Sequence, residues 1–198
     1  MTTWNEIGEE DPLVLFDRWL GEAEQAEPND PNAAALATAT PGGIPSVRMV
    51  LIKRTVPDRF CFFTNAESQK GRELGENRRA ALCFHWKSLR RQVRVEGTVQ
   101  ELDDPVVDAY FHSRSRASQI SAAISDQSRI LKSREELEER VRRFTDATPG
   151  EVPTPASWRG YRVQPERIEF WISGDHRLHD RFLFTRKGER WELVRLFP

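Results

Sequence analysis

Between Arg91 and Leu102, Val93, Val95 and Val99 alternate with Gln92, Arg94 and Glu96, a period of two that suits a strand with one face buried. Shorter runs of similar character cover Ala34–Thr40, Val47–Thr55, Arg59–Thr64, Ala80–Trp86, Tyr161–Val163, Arg167–Ile172, Phe182–Arg186 and Trp191–Leu196. Pro41-Gly42-Gly43 and Gly174-Asp175 are turn signals between them, and Ala34 to Thr64 reads as a three-strand meander. Helical segments are fewer. Asp11-Pro12 and Asp104-Pro105 each read as an N-cap followed by proline at the first helical position. The first opens a helix to about Ala26 with Leu13, Phe16, Trp19, Leu20 and Ala23 on its apolar stripe. The second runs through Tyr110 towards Ile124, with or without a break, and Gln69–Asn77 and Arg134–Phe144 are also helical. The expected class is mainly β with added helices, a barrel in one domain over 1–198, with residues 1–10 as a flexible arm.

Composition narrows the partners. A net charge of −1 gives no global field to recruit nucleic acid or an anionic membrane. Hydrophobic content of 38% and a mean hydropathy of −0.65 are low for a stand-alone globule, so a ligand or a second subunit is expected to complete the core. Of 30 basic side chains only five are lysines (53, 70, 87, 132 and 187), and arginine grips phosphate in a planar, bidentate way. A GC-rich genome gives the same bias. Cys61 and Cys83 sit in apolar runs and read as buried free thiols, with neither disulfide nor metal-ligand spacing. With no leader-like start and no apolar run near 18 residues, the expected location is the cytoplasm.

Four stretches carry candidate chemistry. Arg48-Met49-Val50-Leu51-Ile52-Lys53 spaces two cations by about 17 Å along a strand, a pattern that a strand with charged ends shares. Phe62-Phe63-Thr64-Asn65 leads into Ser68-Gln69-Lys70-Gly71, a turn before a helix, whose free N–H groups suit an anion. Tyr110, Arg114 and Ser118, four apart, share one face of a continuous helix and would hold a phosphate, or are ordinary surface polarity. His176, Arg177, His179, Asp180 and Arg181 crowd together after the strand Ile168–Ile172, as an anion or planar ring would require, or as a solvated loop allows. The basic hairpin Trp86–Arg94 reads as a solvated turn rather than a nucleic-acid surface.

Phe170-Trp171 followed by Arg177-Leu178-His179-Asp180-Arg181 resembles the C-terminal signature of the pyridoxine/pyridoxamine 5′-phosphate oxidases. The resemblance takes in seven segments in the same order from about Asp11 to Pro198, Tyr110–Arg114 with Ser118-Gln119-Ile120 among them. It implies an FMN-binding split β-barrel with the cofactor at a homodimer interface, and oxidation of pyridoxine or pyridoxamine 5′-phosphate by O2 to pyridoxal 5′-phosphate and hydrogen peroxide. It assigns Arg48, Met49, Val50, Leu51, Ile52, Lys53, Phe63, Thr64, Gln69, Lys70, Gln92, Gln127, Ser128, Trp171 and Arg181 to FMN. Lys53, Tyr110, Arg114 and Ser118 go to the substrate phosphate, and Arg177 and His179 to the substrate ring, as the catalytic pair. Trp158 and Tyr161 read as core and barrel closure. The family often has arginine where Gln69 stands, so this chain brings an amide in place of a charge, and Met1 to Glu10 lacks the family's extra basic arm. Two rivals are a related flavin enzyme acting on another small molecule and a non-catalytic flavin-binding module.

Overall fold

The computed structural model describes residue 7, residues 10–55 and residues 58–198. Its strands are β1 (Ala33–Ala39), β2 (Pro45–Leu51), β3 (Lys53–Thr55), β4 (Asp58–Asn65), β5 (Arg79–Trp86), β6 (Arg91–Glu101), β7 (Trp158–Ile172), β8 (Asp180–Lys187) and β9 (Arg190–Leu196). They form one sheet in the order β2-β1-β5-β6-β7-β4-β3, with β8 on β7 and β9 on β8. Every pairing is antiparallel. The two ends of that path, β2 and β3, are separated in the chain only by Ile52, so the sheet curls round and meets itself. Ile52 turns its N–H to the Asn32 carbonyl at 2.9 Å and buries its side chain, which ends one strand and starts the next.

This kink corrects the three-strand meander: β2 pairs with β1, whereas β4 pairs with β3 at the other end of the path. The long strand β7 corrects the sequence in the opposite sense. Gln164-Pro165-Glu166 interrupts the alternation, yet the strand continues through a bulge opposite Glu96 and Gly97. A Cβ on Gly97 would stand 1.8 Å from the Gln164 carbonyl oxygen, so only glycine fits. Below the bulge β7 pairs with β4, and above it with β8, which splits the barrel into two lobes.

Helix α1 (Pro12–Ala26) starts where the sequence expects, with the Asp11 carboxylate accepting from the Leu13 N–H at 2.7 Å. It closes one end of the barrel with Phe16 and Trp19, the latter edge-on to Phe170 at 5.0 Å. Helices α2 (Gln69–Glu76), α3 (Asp104–Ser113), α4 (Arg116–Ile124) and α5 (Arg134–Ala147) follow, and α3 and α4 cover a second, smaller core around Phe111, Ile120 and Trp158. Most of the expected N-terminal arm lies outside the described residues, but Ile7 is fully buried in the main core. Cys61 is buried and Cys83 half-buried, neither of them in a disulfide, and burial pushes the Cys83 thiol up. Among the described residues no helix is long and apolar enough to cross a membrane.

Candidate active site

A cavity of about 400 Å³ opens where β2, β3 and β4 meet α2, α3 and the segment after α4. The strand Arg48–Lys53 gives it Arg48, Met49, Val50, Leu51 and Lys53; β4 gives Phe63 and Thr64; Lys70, Tyr110, Arg114, Gln127 and Trp158 complete the lining. Four of these are cations, and no carboxylate lines the cavity among the described residues. Such a wall repels itself until an anion arrives.

Lys70 shows the cost. Ser68 caps α2 with its hydroxyl on the Gly71 N–H, which turns the first helical residues towards the cavity. The Lys70 ammonium is buried, donating to Gln127 Oε1 at 2.8 Å, Thr64 Oγ1 at 3.2 Å and Ser68 Oγ at 3.3 Å. Burial, then the charge of Arg48, pushes it down to about 8, with Glu73 opposing. On the far wall Arg114 lies 4.6 Å over the Trp158 ring, and its Nη1 is buried with no hydrogen-bond partner. Tyr110 stacks on Phe63 at 3.8 Å, and burial pushes its phenol up.

Tyr110, Arg114 and Ser118 are not on one continuous helix, because the chain leaves α3 at Arg114 (ψ 156°) and Ser115 caps α4. The break carries Tyr110 and Arg114 into the cavity. Ser118 stays outside the lining, with its hydroxyl accepting from Ser115 at 2.9 Å. Ile52 and Gln69 are also outside it: Gln69 gives its amide to Glu73 Oε1 at 3.0 Å and its backbone N–H to Ser128 Oγ at 3.2 Å. Ser128 holds this position with a positive φ of 72°.

The C-terminal candidates gather elsewhere. Gln92, Trp171 and Arg181 are direct neighbours across β6, β7 and β8, so their side chains share one face. Arg181 is held by Glu169 at 2.7 Å and the Phe197 carbonyl at 3.0 Å. His179 lies 4.6 Å from the Trp171 ring and accepts the Gly174 N–H on Nδ1 at 3.1 Å, so a neutral imidazole carries its proton on Nε2. Arg177 is exposed, in a single 3-10 turn (Asp175–Arg177) with φ of 54° at His176 and 65° at Arg177. Trp158 in the cavity and Trp171 in this group are the two ends of β7, roughly 40 Å apart along the strand at about 3.3 Å per residue.

Two participants are absent from the site residues expected from sequence, where Trp158 stands as core and Glu73 is not named. Trp158 enters the cavity because β7 pairs Trp158 with Asn65 of β4, a register with no local signal. Glu73 was legible: it stands four residues after Gln69, on the same helical face.

A curled, mainly β sheet with a cation-walled cavity at its corner defines a protein built to bind anions, and comparison with known proteins narrows it. Residues 20–147 match the family model for pyridoxamine 5′-phosphate oxidase, and residues 158–198 match that for the pyridoxine 5′-phosphate oxidase C-terminal dimerisation region. The chain is 53% identical over 189 residues to the pyridoxine/pyridoxamine 5′-phosphate oxidase of Gluconobacter oxydans, covering 95% of this chain and 94% of that one. It is 55% identical over 190 residues to the one of Sphingopyxis alaskensis, covering 96% and 88%. Among solved structures, PhzG from Burkholderia lata, in complex with tetrahydrophenazine-1-carboxylic acid, superposes with a TM-score of 0.89 at 32% identity, covering 95% and 93%. A pyridoxamine 5′-phosphate oxidase-related, FMN-binding protein from Nostoc punctiforme shares the fold at a TM-score of 0.77 and 17% identity, covering 96% and 100%. The chain belongs to the pyridoxine/pyridoxamine 5′-phosphate oxidase family.

Proposed function

We propose that two copies of this chain build two equivalent sites, each an FMN-dependent oxidase that converts pyridoxine or pyridoxamine 5′-phosphate to pyridoxal 5′-phosphate. The observation that carries this is the cavity wall: four cations, no lining carboxylate among the described residues, and a buried, unpartnered guanidinium nitrogen on Arg114. Two phosphate dianions, one from the cofactor and one from the substrate, balance that wall. Bound FMN would supply the redox chemistry, taking a hydride from C4′ of the substrate and passing the two electrons to O2, which is reduced to hydrogen peroxide; with the amine substrate, water replaces the nitrogen and ammonia leaves.

The chain's own residues bind and orient. Arg48 and Lys70 hold the cofactor phosphate, with Thr64, Gln127 and Ser128 beside them and Gln69 closing the helix start. Met49, Val50, Leu51 and Phe63 give the flavin a strand and a ring to lie along, whereas Ile52, expected beside them, is turned into the core. Lys53, Tyr110 and Arg114 take the substrate phosphate, with Ser118 beyond the break in the first turn of α4. Gln92, Trp171 and Arg181 meet the flavin, and Arg177 and His179 the substrate ring, from a second copy. The cavity lies at one end of β7 and this group at the other, and residues 158–198 match a dimerisation region, which together support the second copy. Val47, Met49 and Leu51 on β2, between 43% and 68% exposed, offer that copy an apolar strip. His179 presents its Nε2–H as a donor to the substrate, and Arg177 a fixed positive charge.

We read residues 1–198 as one domain, since β7 lies between β4 and β6 in a single sheet. Its two reduced cysteines suit the cytoplasm. The test is anaerobic mixing with pyridoxamine 5′-phosphate while the flavin absorption band is followed. Bleaching is expected; a band that stays unchanged with both vitamer phosphates contradicts the reading and favours a flavin-binding module or another substrate.

A further inference from the structure

Glu73 has no part in the reaction described above, yet it is one of two buried carboxylates among the described residues, 6% exposed. It sits on α2 behind the cavity wall. The hydroxyls of Thr38 and Ser46 each own one proton, and both donate it to Glu73 Oε2, Ser46 at 2.6 Å. With their protons so committed, both hydroxyls accept from Arg48, Thr38 from Nη1 at 2.6 Å and Ser46 from Nη2 at 2.5 Å. Arg48 Nη1 also donates to the Leu36 carbonyl at 3.2 Å, and Nη2 stands 3.5 Å from Oε2 itself. Gln69 covers the other oxygen, Oε1.

We infer that Glu73 is a positioning residue for the cofactor phosphate: ionised, it sets the direction of both hydroxyls and through them locks the Arg48 guanidinium at the cavity wall. The inference rests on the FMN reading of that cavity. Burial pushes the Glu73 carboxyl up, but the bonds from Ser46, Thr38 and Gln69, together with the Arg48 charge, outweigh it and hold the group at about 2. It is therefore charged at any pH at which the protein works, and the relay keeps one direction.

A simple counter-charge behaves oppositely. Removing a carboxylate from beside four cations raises the local positive potential and tightens an anion, whereas removing a positioner loosens it. Glu73 also supports the ammonium of Lys70. Arg48 on β2 and Glu73 on Lys70's own helix are the charges acting on Lys70, while Thr64 and Gln127, which face it from β4 and the segment after α4, are neutral. Above its pKa, Lys70 must take up a proton to meet the phosphate, so FMN affinity falls with rising pH, and without Glu73 that fall begins at lower pH.

The experiment titrates full-length apoprotein, wild type and Glu73→Gln, with FMN and with riboflavin, which lacks the phosphate. The titrations run from about pH 6.5 to pH 9, to span the Lys70 transition. Glu73→Gln is expected to weaken FMN about 5- to 30-fold and riboflavin less than about 2-fold, and to shift the pH dependence downward. Equal or tighter FMN binding, or an equal loss for both ligands, overturns the inference. Should Glu73→Gln not fold by circular dichroism, Ser46→Ala carries the test: it keeps the Glu73 charge and breaks one arm of the relay. It should weaken FMN about 2- to 10-fold without moving the pH dependence, and an unchanged affinity overturns the inference. Wild-type apoprotein that takes up no FMN fails the cavity reading itself, a different result from any of these.

Discussion

The cation-walled cavity and the 174–181 segment hold most of the candidate residues, and they are built on opposite principles. In the cavity Lys70 is buried and hydrogen-bonded to three side chains, and Arg48 is locked between β1, β2 and α2. In the 174–181 segment Arg177 is exposed, and two successive residues hold positive φ, a conformation costing on the order of 1 kcal/mol or more for each side chain. Gly174 permits this turn, because a Cβ there would stand 1.8 Å from the Leu178 carbonyl oxygen. On the proposed reading the phosphate grip is complete within one protomer, whereas the group assigned to the reacting ring waits for a surface to close on. Such a division lets affinity reside in rigid elements and lets turnover depend on assembly.

The largest effect should fall on the exposed segment. Arg177→Ala or His179→Ala should lower kcat with pyridoxine 5′-phosphate by about 30- to 160-fold, corresponding to 2–3 kcal/mol of transition-state stabilisation, while bound FMN measured by absorbance stays near wild type. An FMN loss as large as the turnover loss would erase the contrast. In the cavity, Arg114→Ala removes a charge-assisted grip and should raise KM about 10- to 150-fold with a smaller change in kcat. Steady-state kinetics with unphosphorylated pyridoxine, which never used that grip, should show little difference between the two forms. The smallest effect belongs to Gln69→Arg. An arginine there competes with Arg48 for Glu73, so apoprotein titrated with FMN should gain about 2-fold at most, although a new charged bond to phosphate alone would give more. A gain of tenfold would mean that residue 69 turns from Glu73 to the phosphate.

The same contrast explains what the sequence disclosed. Strand alternation at Val93, Val95 and Val99 and the Asp11-Pro12 cap are local signals, and both elements stand where they point. The cavity strand 48–53 and the turn into α2 were legible for that reason. Ile52 was not: nothing in Val50-Leu51-Ile52-Lys53 announces that one residue carries the chain from one end of the sheet to the other. The Tyr110–Arg114–Ser118 spacing misled because the turn at Arg114-Ser115 obeys a side-chain cap rather than helical periodicity. Trp158 was hidden for a third reason, since its place depends on the β4–β7 register, set by residues about ninety positions apart in the chain.

The division between a cavity and a segment from different protomers is tested most directly by mixed dimers. Arg114→Ala and Arg177→Ala chains, differently tagged and co-expressed, would be purified as heterodimers and their kcat/KM with pyridoxine 5′-phosphate compared with each parent. If each site takes its cavity from one protomer and its 174–181 segment from the other, one of the two sites is intact. About half the wild-type value should then return. Activity no higher than that of the two parent variants would place cavity and segment in the same protomer and contradict the account.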